Sequence, residues 1–221
     1  SSLWRDAPKG VAGEAKQWPY SWVDEPLYAA KERQPVTGRL LIKSDPGDNK
    51  AGAKWVGLTM PDYETGGRRG REVVGWQRDG KNYQYWTKAT ADGSFNLPSV
   101  RPGSYVLRAF AEGIMGEFAR ANIEVRAGKP LALGEVEWVP ERSGPTIWQI
   151  GSPDRSAREF RNGDRYWMWG QHLRFHEDFP KGVDYTVGKS DWKKDWNLCQ
   201  PLDLDADGKV LGASTWKVRF D

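Results

Sequence analysis

The sequence predicts an all-β chain, a β-sandwich followed by a second, smaller β unit, and three observations carry that prediction. Between Val36 and Trp138 seven short runs alternate apolar and polar residues and are bounded by turn formers, the pattern of half-buried strands. The 221 residues include 25 Gly and 14 Pro, which suits a chain of many turns better than a helical one. Length points the same way, since domains commonly run about 100 to 150 residues and this chain is long enough for two.

Residues 1–35 carry Pro8, Pro19, Pro26 and Pro35 together with Trp4, Trp18, Tyr20 and Trp22. Prolines so spaced break regular structure, so this stretch reads as an extended arm or linker whose rings pack on a neighbour. From Val36 the runs are VTGRLLIK, KWVGLTM, YQYWTKA, SFNL, SYVLRAFAE, EFARANIEV and GEVEW, and seven such strands make a sandwich over residues 36–140. Asp92 and Gly93 in ADGSF, and Pro102 and Gly103 in VRPGSY, mark tight turns between strands. In SYVLRAF the period of two puts Tyr105, Leu107 and Ala109 on one face and Val106, Arg108 and Phe110 on the other. Residues 61–80, rich in Gly and Arg, interrupt the spacing and read as a long loop.

The second unit, residues 145–221, opens on TIWQIG, a predicted strand. SPDRSAREF follows, where Asp154 is placed to cap a short helical turn over residues 156–160. An aromatic stretch containing Tyr166, Trp167, Met168 and Trp169 comes next, then DYTVGKSDWKKDW, and the chain closes on CQPLDLDADGKVLGASTWKVRFD. In WKVRF, Trp216, Val218 and Phe220 fall on one face of a strand and need a facing sheet. Three or four strands are few for a sandwich, so this unit reads as unfinished.

Composition excludes several function classes. Lys and Arg number 33 and Asp and Glu 30, interleaved, for a net charge of +3; there is no basic block of the kind that marks nucleic-acid binding. No apolar run approaches the roughly 18 residues of a membrane span. One cysteine, Cys199, excludes an internal disulfide, and with two histidines it leaves too few soft ligands for structural zinc. The first residues lack the apolar core of a signal peptide and the chain does not open on Met, so the chain reads as processed or excised. Aromatic residues reach 13%, more than a core of this size requires, which assigns some of them to a surface.

Four groups of residues carry candidate chemistry. Trp192, Lys193, Lys194 and Trp196 combine ring faces, which stack on the apolar faces of sugars, with cations that meet carboxylates, a mixture suited to an acidic polysaccharide; the competing reading packs both rings in the core and leaves the lysines solvated. Trp167 and Trp169 alternate, so one face presents both rings or packs both. Asp203, Asp205 and Asp207 before Gly208 resemble the front half of a calcium loop, yet Ser214 stands where that loop has its bidentate Glu, and a hairpin turn explains the same residues. His172 and His176 lie four apart, on one face of a helix, but without the interior Glu of a zinc-protease motif they read as packing or hydrogen-bonding groups. No cofactor is expected, calcium being the one candidate.

Taken in order, WPYSW, RQPVTGRL, AGAKWVGLTMP, KNYQYWTKATADGSFNLPSVRPGSYVLRAFAEG, TIWQIGSPDRSAREF and DYTVGKSDWKKDW resemble the rhamnogalacturonan lyases of polysaccharide lyase family four, over roughly residues 18–221. The resemblance implies a catalytic β-sandwich, then a fibronectin-III-like module, matched by residues 36–140, then a carbohydrate-binding-like jelly roll, of which residues 145–221 match the first half. It places the family's catalytic Lys and His in the first module, so no residue here inherits those roles. It implies a non-catalytic, secreted or periplasmic fragment that holds or presents acidic pectic polysaccharide, with another chain or fragment completing the second sandwich. Two alternatives stand beside it: the accessory part of an active lyase whose catalytic module is a separate chain, and a structural or adhesion module.

Overall fold

The structure is a computed structural model that describes residues 2–17, 20, 22, 30–43, 51–67, 70–78, 80, 83–141, 144–165, 171–205 and 207–220, with the side chains of 2–9, 67, 165 and 171–173 left aside. Two compact units divide the chain, Ser1–Glu141 and Arg142–Asp221.

The first unit opens on helix α1 (Ser2–Gln17), which corrects the expectation of an extended arm over residues 1–35. Ala7, Ala12, Ala15, Lys16 and Gln17 are strong helix formers, and within α1 only Pro8 is a proline. A 3-10 turn at Ala30–Glu32 leads into the strands β1 (Gln34–Ile42), β2 (Lys54–Thr59), β3 (Tyr63–Gly67), β4 (Gly70–Val74), β5 (Gln84–Lys88), β6 (Ser94–Val100), β7 (Gly103–Ala111), β8 (Phe118–Val125) and β9 (Leu131–Trp138). All seven runs read from the alternation are strands. The stretch read as a loop is instead the hairpin β3–β4, antiparallel with Tyr63 opposite Val74. Its described side chains lie almost wholly in solvent, so nothing imposes the apolar period that reveals other strands.

Two sheets face each other, one in the order β6-β1-β9 and one in the order β5-β2-β7-β8. Alternate residues from both turn inward to form one core: Val36 and Leu40, Val56 and Leu58, Phe95 and Leu97, Tyr105, Leu107 and Ala109, Ile123 and Val125, Val136 and Trp138. Full burial of side chains of this size stabilises by about 1.5–3 kcal/mol each. Pro98, which has no amide hydrogen to give, lies in β6 at the sheet's edge, where a missing donor is tolerated. Tyr105 sends its hydroxyl back to donate to the carbonyl of Arg101 at 2.8 Å, the corner contact that ties a strand to the turn before it. Burial pushes the Tyr105 hydroxyl above its ordinary range.

The turn between β5 and β6 is built on side-chain hydrogen bonds. Thr90 Oγ1 donates to Asp92 Oδ1 at 2.5 Å and Ser94 Oγ to Asp92 Oδ2 at 2.7 Å. These bonds, first that from Thr90, hold the Asp92 carboxyl at about 2. Gly93 has φ of 89° and its carbonyl accepts from the Leu40 amide at 2.8 Å. A Cβ there would lie 2.1 Å from the Leu40 oxygen, so both conformation and space require glycine.

The second unit contains α2 (Gln171–Asp178), β10 (Val183–Thr186), α3 (Trp192–Asp195), β11 (Leu202–Leu204), β12 (Val210–Ala213) and β13 (Trp216–Arg219). The pairs β10·β13, parallel, and β11·β12, antiparallel, are its ladders among the described residues. TIWQIG is not a strand: residues 146–151 form no ladder and Ile147 is 90% exposed. Nor does Asp154 cap a helix; it accepts from the Ser156 amide at 2.8 Å and hydroxyl at 3.0 Å in a turn. Phe175, Phe179, Val183 and Tyr185 form the buried centre, flanked by Ile150, Val187, Trp192, Trp196 and Trp216.

Candidate functional site

The second unit's core decides what the α3 residues can do. In the parallel pair Val183 lies opposite Trp216 and Tyr185 opposite Val218. This face turns inward, while Asp184 and Arg219 meet on the other face in a double ion pair at 2.7 Å. Trp196 stands just past α3, edge-on to Trp216 (4.8 Å between centroids, 84°) and to Tyr185 (5.6 Å, 86°). Edge-to-face pairs of this kind contribute about 0.5–1.5 kcal/mol each beyond area burial. Trp192, half-buried, packs against the same cluster. Asp191 caps α3 by accepting from the Lys193 amide at 3.0 Å.

Lys193 and Lys194 project into solvent from this anchored turn. Lys194 Nζ lies 3.7 Å from Asp191, an exposed pair worth about 0–1 kcal/mol. The structure therefore brings the four sequence-picked residues into one turn but divides them: both rings lean on the core and both cations face outward. WKVRF is paired along Trp216–Arg219 with β10 of the same chain, while Phe220 leaves that face, 62% exposed, its ring 5.6 Å from that of Trp148.

A polar knot that sequence reading missed supports α3 from behind. Arg161 Nη2 donates to Asp178 Oδ1 at 2.7 Å, and Asn162 Nδ2 donates to Asp178 Oδ2 at 2.9 Å and to Asn197 Oδ1 at 3.0 Å. Asn197, 2% exposed, donates in turn to the Cys199 carbonyl at 2.8 Å. Burial works against the Asp178 charge, but the bonds from Asn162 and Arg161 outweigh it and hold the carboxyl below its ordinary range. Asn162 has φ of 63°, a conformation asparagine tolerates better than most residues. Its place before Gly163 was the available signal.

The other candidates lie apart. Asp203 is in β11, and Asp205 Oδ1 accepts from the Asp207 and Lys209 amides at 3.0 and 2.8 Å, the hairpin-turn arrangement. Among the described residues no cluster of three metal-binding side chains occurs. His176 lies in α2 edge-on to Phe175 at 5.6 Å, its Nε2 buried without a hydrogen-bond partner. The side chain of His172, and Tyr166, Trp167, Met168 and Trp169, lie outside the described residues. Among the described residues no helix is long and apolar enough to cross a membrane.

Comparison with known proteins gives two family matches in sequence. Residues 51–133 match fn3_3, polysaccharide lyase family 4, domain II, and residues 146–221 match CBM-like, polysaccharide lyase family 4, domain III. Among curated relatives, the probable rhamnogalacturonate lyase B of Aspergillus fumigatus is 35% identical over 155 residues, 63% of this chain and 23% of that protein. That of Aspergillus flavus is 33% identical over 159 residues, 64% of this chain and 24% of that protein. Rhamnogalacturonate lyase B of Emericella nidulans is 34% identical over 156 residues, 63% and 24% respectively. The chain thus spans about a quarter of the length of these relatives. Its two matches fall in domain order and together cover well over half of it, so the chain belongs to polysaccharide lyase family 4 and carries that family's domains II and III.

Proposed function

We propose that this chain is the non-catalytic, carbohydrate-associated part of a secreted rhamnogalacturonan-lyase-like protein, and that it holds or presents acidic pectic polysaccharide. The observation that carries the reading is the succession of domains II and III in one chain, with relatives named as rhamnogalacturonate lyases. On the second unit the contact runs through Lys193 and Lys194, with the outer part of Trp192 beside them. Trp196 acts by holding that turn in place.

Cations outside and rings inside make a weak, charge-led site. Three or four contacts of about 1 kcal/mol each correspond to a standard free energy near −4 kcal/mol, a millimolar dissociation constant. Titration of rhamnogalacturonan oligosaccharides into the chain, followed by NMR at low and high salt, tests this. Binding should weaken as salt shortens the reach of exposed charges to about 8 Å or less, and Lys193→Gln with Lys194→Gln should weaken it at low salt. Absence of binding at millimolar oligosaccharide would favour a structural module instead.

A further inference from the structure

A second set of rings lies on the outer face of the four-stranded sheet, away from the sandwich core. Strand register builds it. Trp55 of β2 stands opposite Lys88 of β5 and Phe110 of β7, and Gly57 stands opposite Trp86 and Arg108. The alternate residues of β2, Val56 and Leu58, are in the core, so this row faces outward. Trp76, just past β4, extends it. The ring centroids follow one another from Trp55 to Phe110 at 6.3 Å, to Trp86 at 6.0 Å and to Trp76 at 6.1 Å.

Gly57 explains how the central ring is seated. A Cβ at Gly57 would lie 2.4 Å from Trp86 Cδ2, so the missing side chain lets the indole lie flat against the strand. With one face covered this way, Trp86 is still 36% exposed. Its indole Nε1 donates to Gln84 Oε1 at 3.2 Å, which fixes the ring plane.

Lys88 adds a cation to this surface, while Arg108, ion-paired with Glu117 and with its side chain only 13% exposed, braces Trp76. Lys88 Nζ lies 6.0 Å over the Trp55 ring, and Arg108 Cζ lies 4.8 Å over the Trp76 ring. Arg108 is held by Thr59 Oγ1 at 3.1 Å and Glu117 Oε1 at 3.2 Å; among the described residues no carboxylate pairs with Lys88. A sugar ring offers an apolar C–H face to an indole and, where it is a uronic acid, a carboxylate to a lysine or arginine. We propose that this face of the first unit is a binding surface for an acidic oligosaccharide, with Trp86 as the central platform and Lys88 as the carboxylate partner. The rigid ring seat and the Lys88 cation beside it favour a charged saccharide over a purely apolar occupant. The identity of the polymer as pectic rests on the proposed function; the surface itself does not involve α3.

The test uses the whole chain with two probes, a rhamnogalacturonan oligosaccharide and its carboxyl-reduced form, read by the indole N–H signals in NMR titrations. We expect the signal of Trp86 to shift. Trp86→Ala should weaken binding about tenfold, equivalent to about 1.4 kcal/mol, with the thermal midpoint recorded to establish that the variant is folded. Trp86→Phe, which keeps a ring, and Lys88→Gln, which leaves the rings in place, serve as second variants. Lys88→Gln should lower affinity for the carboxylated probe only. Loss of binding in Trp86→Ala but not in Lys193→Gln with Lys194→Gln would support this surface and move the contact off α3. Undiminished binding in Trp86→Ala and Lys88→Gln, lost instead in the α3 variants, would overturn the inference while leaving the pectic reading intact. No shift with either probe at millimolar concentration would overturn both.

Discussion

At the scale of single residues, Asp92 shows how a turn is held by charge. Its carboxylate accepts the hydroxyls of Thr90 and Ser94 and is held at about 2, against about 3.9 for an unperturbed aspartate. Because the folded value is the lower one, the carboxylate stabilises the fold fully above about pH 4. That contribution is lost as pH falls from about 4 toward 2. Denaturant unfolding of Asp92→Asn and the parent chain across this range should therefore show the largest stability gap near neutrality, closing on acidification. A gap that stayed constant with pH would assign the stabilisation to shape rather than charge. Turn chemistry of this kind was legible, since DGS between two alternating runs requires it. The Asp178 knot was not, because Arg161, Asn162, Asp178 and Asn197 meet only after the chain folds back on itself.

At the scale of elements, α3 has one side in the core and one in water, and its residues should divide accordingly. Trp196→Ala removes two edge-to-face contacts and should cost about 3 kcal/mol, the low end for an aromatic packed in a core. Lys193→Gln and Lys194→Gln should each stay within about 0.5 kcal/mol of the parent. Thermal unfolding of the three variants checks this. The sequence left open which way the rings of these four residues face, because WKKDW has apolar residues four apart whether they pack inward or stack on a ligand. The readable elements were those that turn residues into the core: β1, β6, β8 and β9 bury residues at alternating positions, β2 and β7 bury longer runs, β5 half-buries every second residue, and all were predicted. The hairpin β3–β4, exposed on both faces, left no such trace. TIWQIG shows the converse error, an apolar-looking run with β-branched residues that no neighbouring strand takes up. Strand pairing was the least legible property, since nothing in the two runs predicts that β10 and β13 lie parallel.

At the scale of the whole molecule, the two units differ in how much core they own. Among the described residues the first buries seventeen hydrophobic side chains in one cluster and the second four. Hydrogen exchange should accordingly proceed faster over residues 171–219 than over β1, β2 and β7, as smaller cores open more readily; equal protection in both would mean that the second unit draws its stability from somewhere other than this cluster. The first unit has a further property, set by its first and last sandwich strands. β1 and β9 lie side by side and parallel, Val36 beside Leu131 and Ile42 beside Trp138. Tension applied where the chain enters at Gln34 and leaves at Trp138 would pull the two strands past each other lengthwise, loading the rungs of their ladder together instead of peeling them one at a time. Under such a load this module would behave as a stiff mechanical coupling.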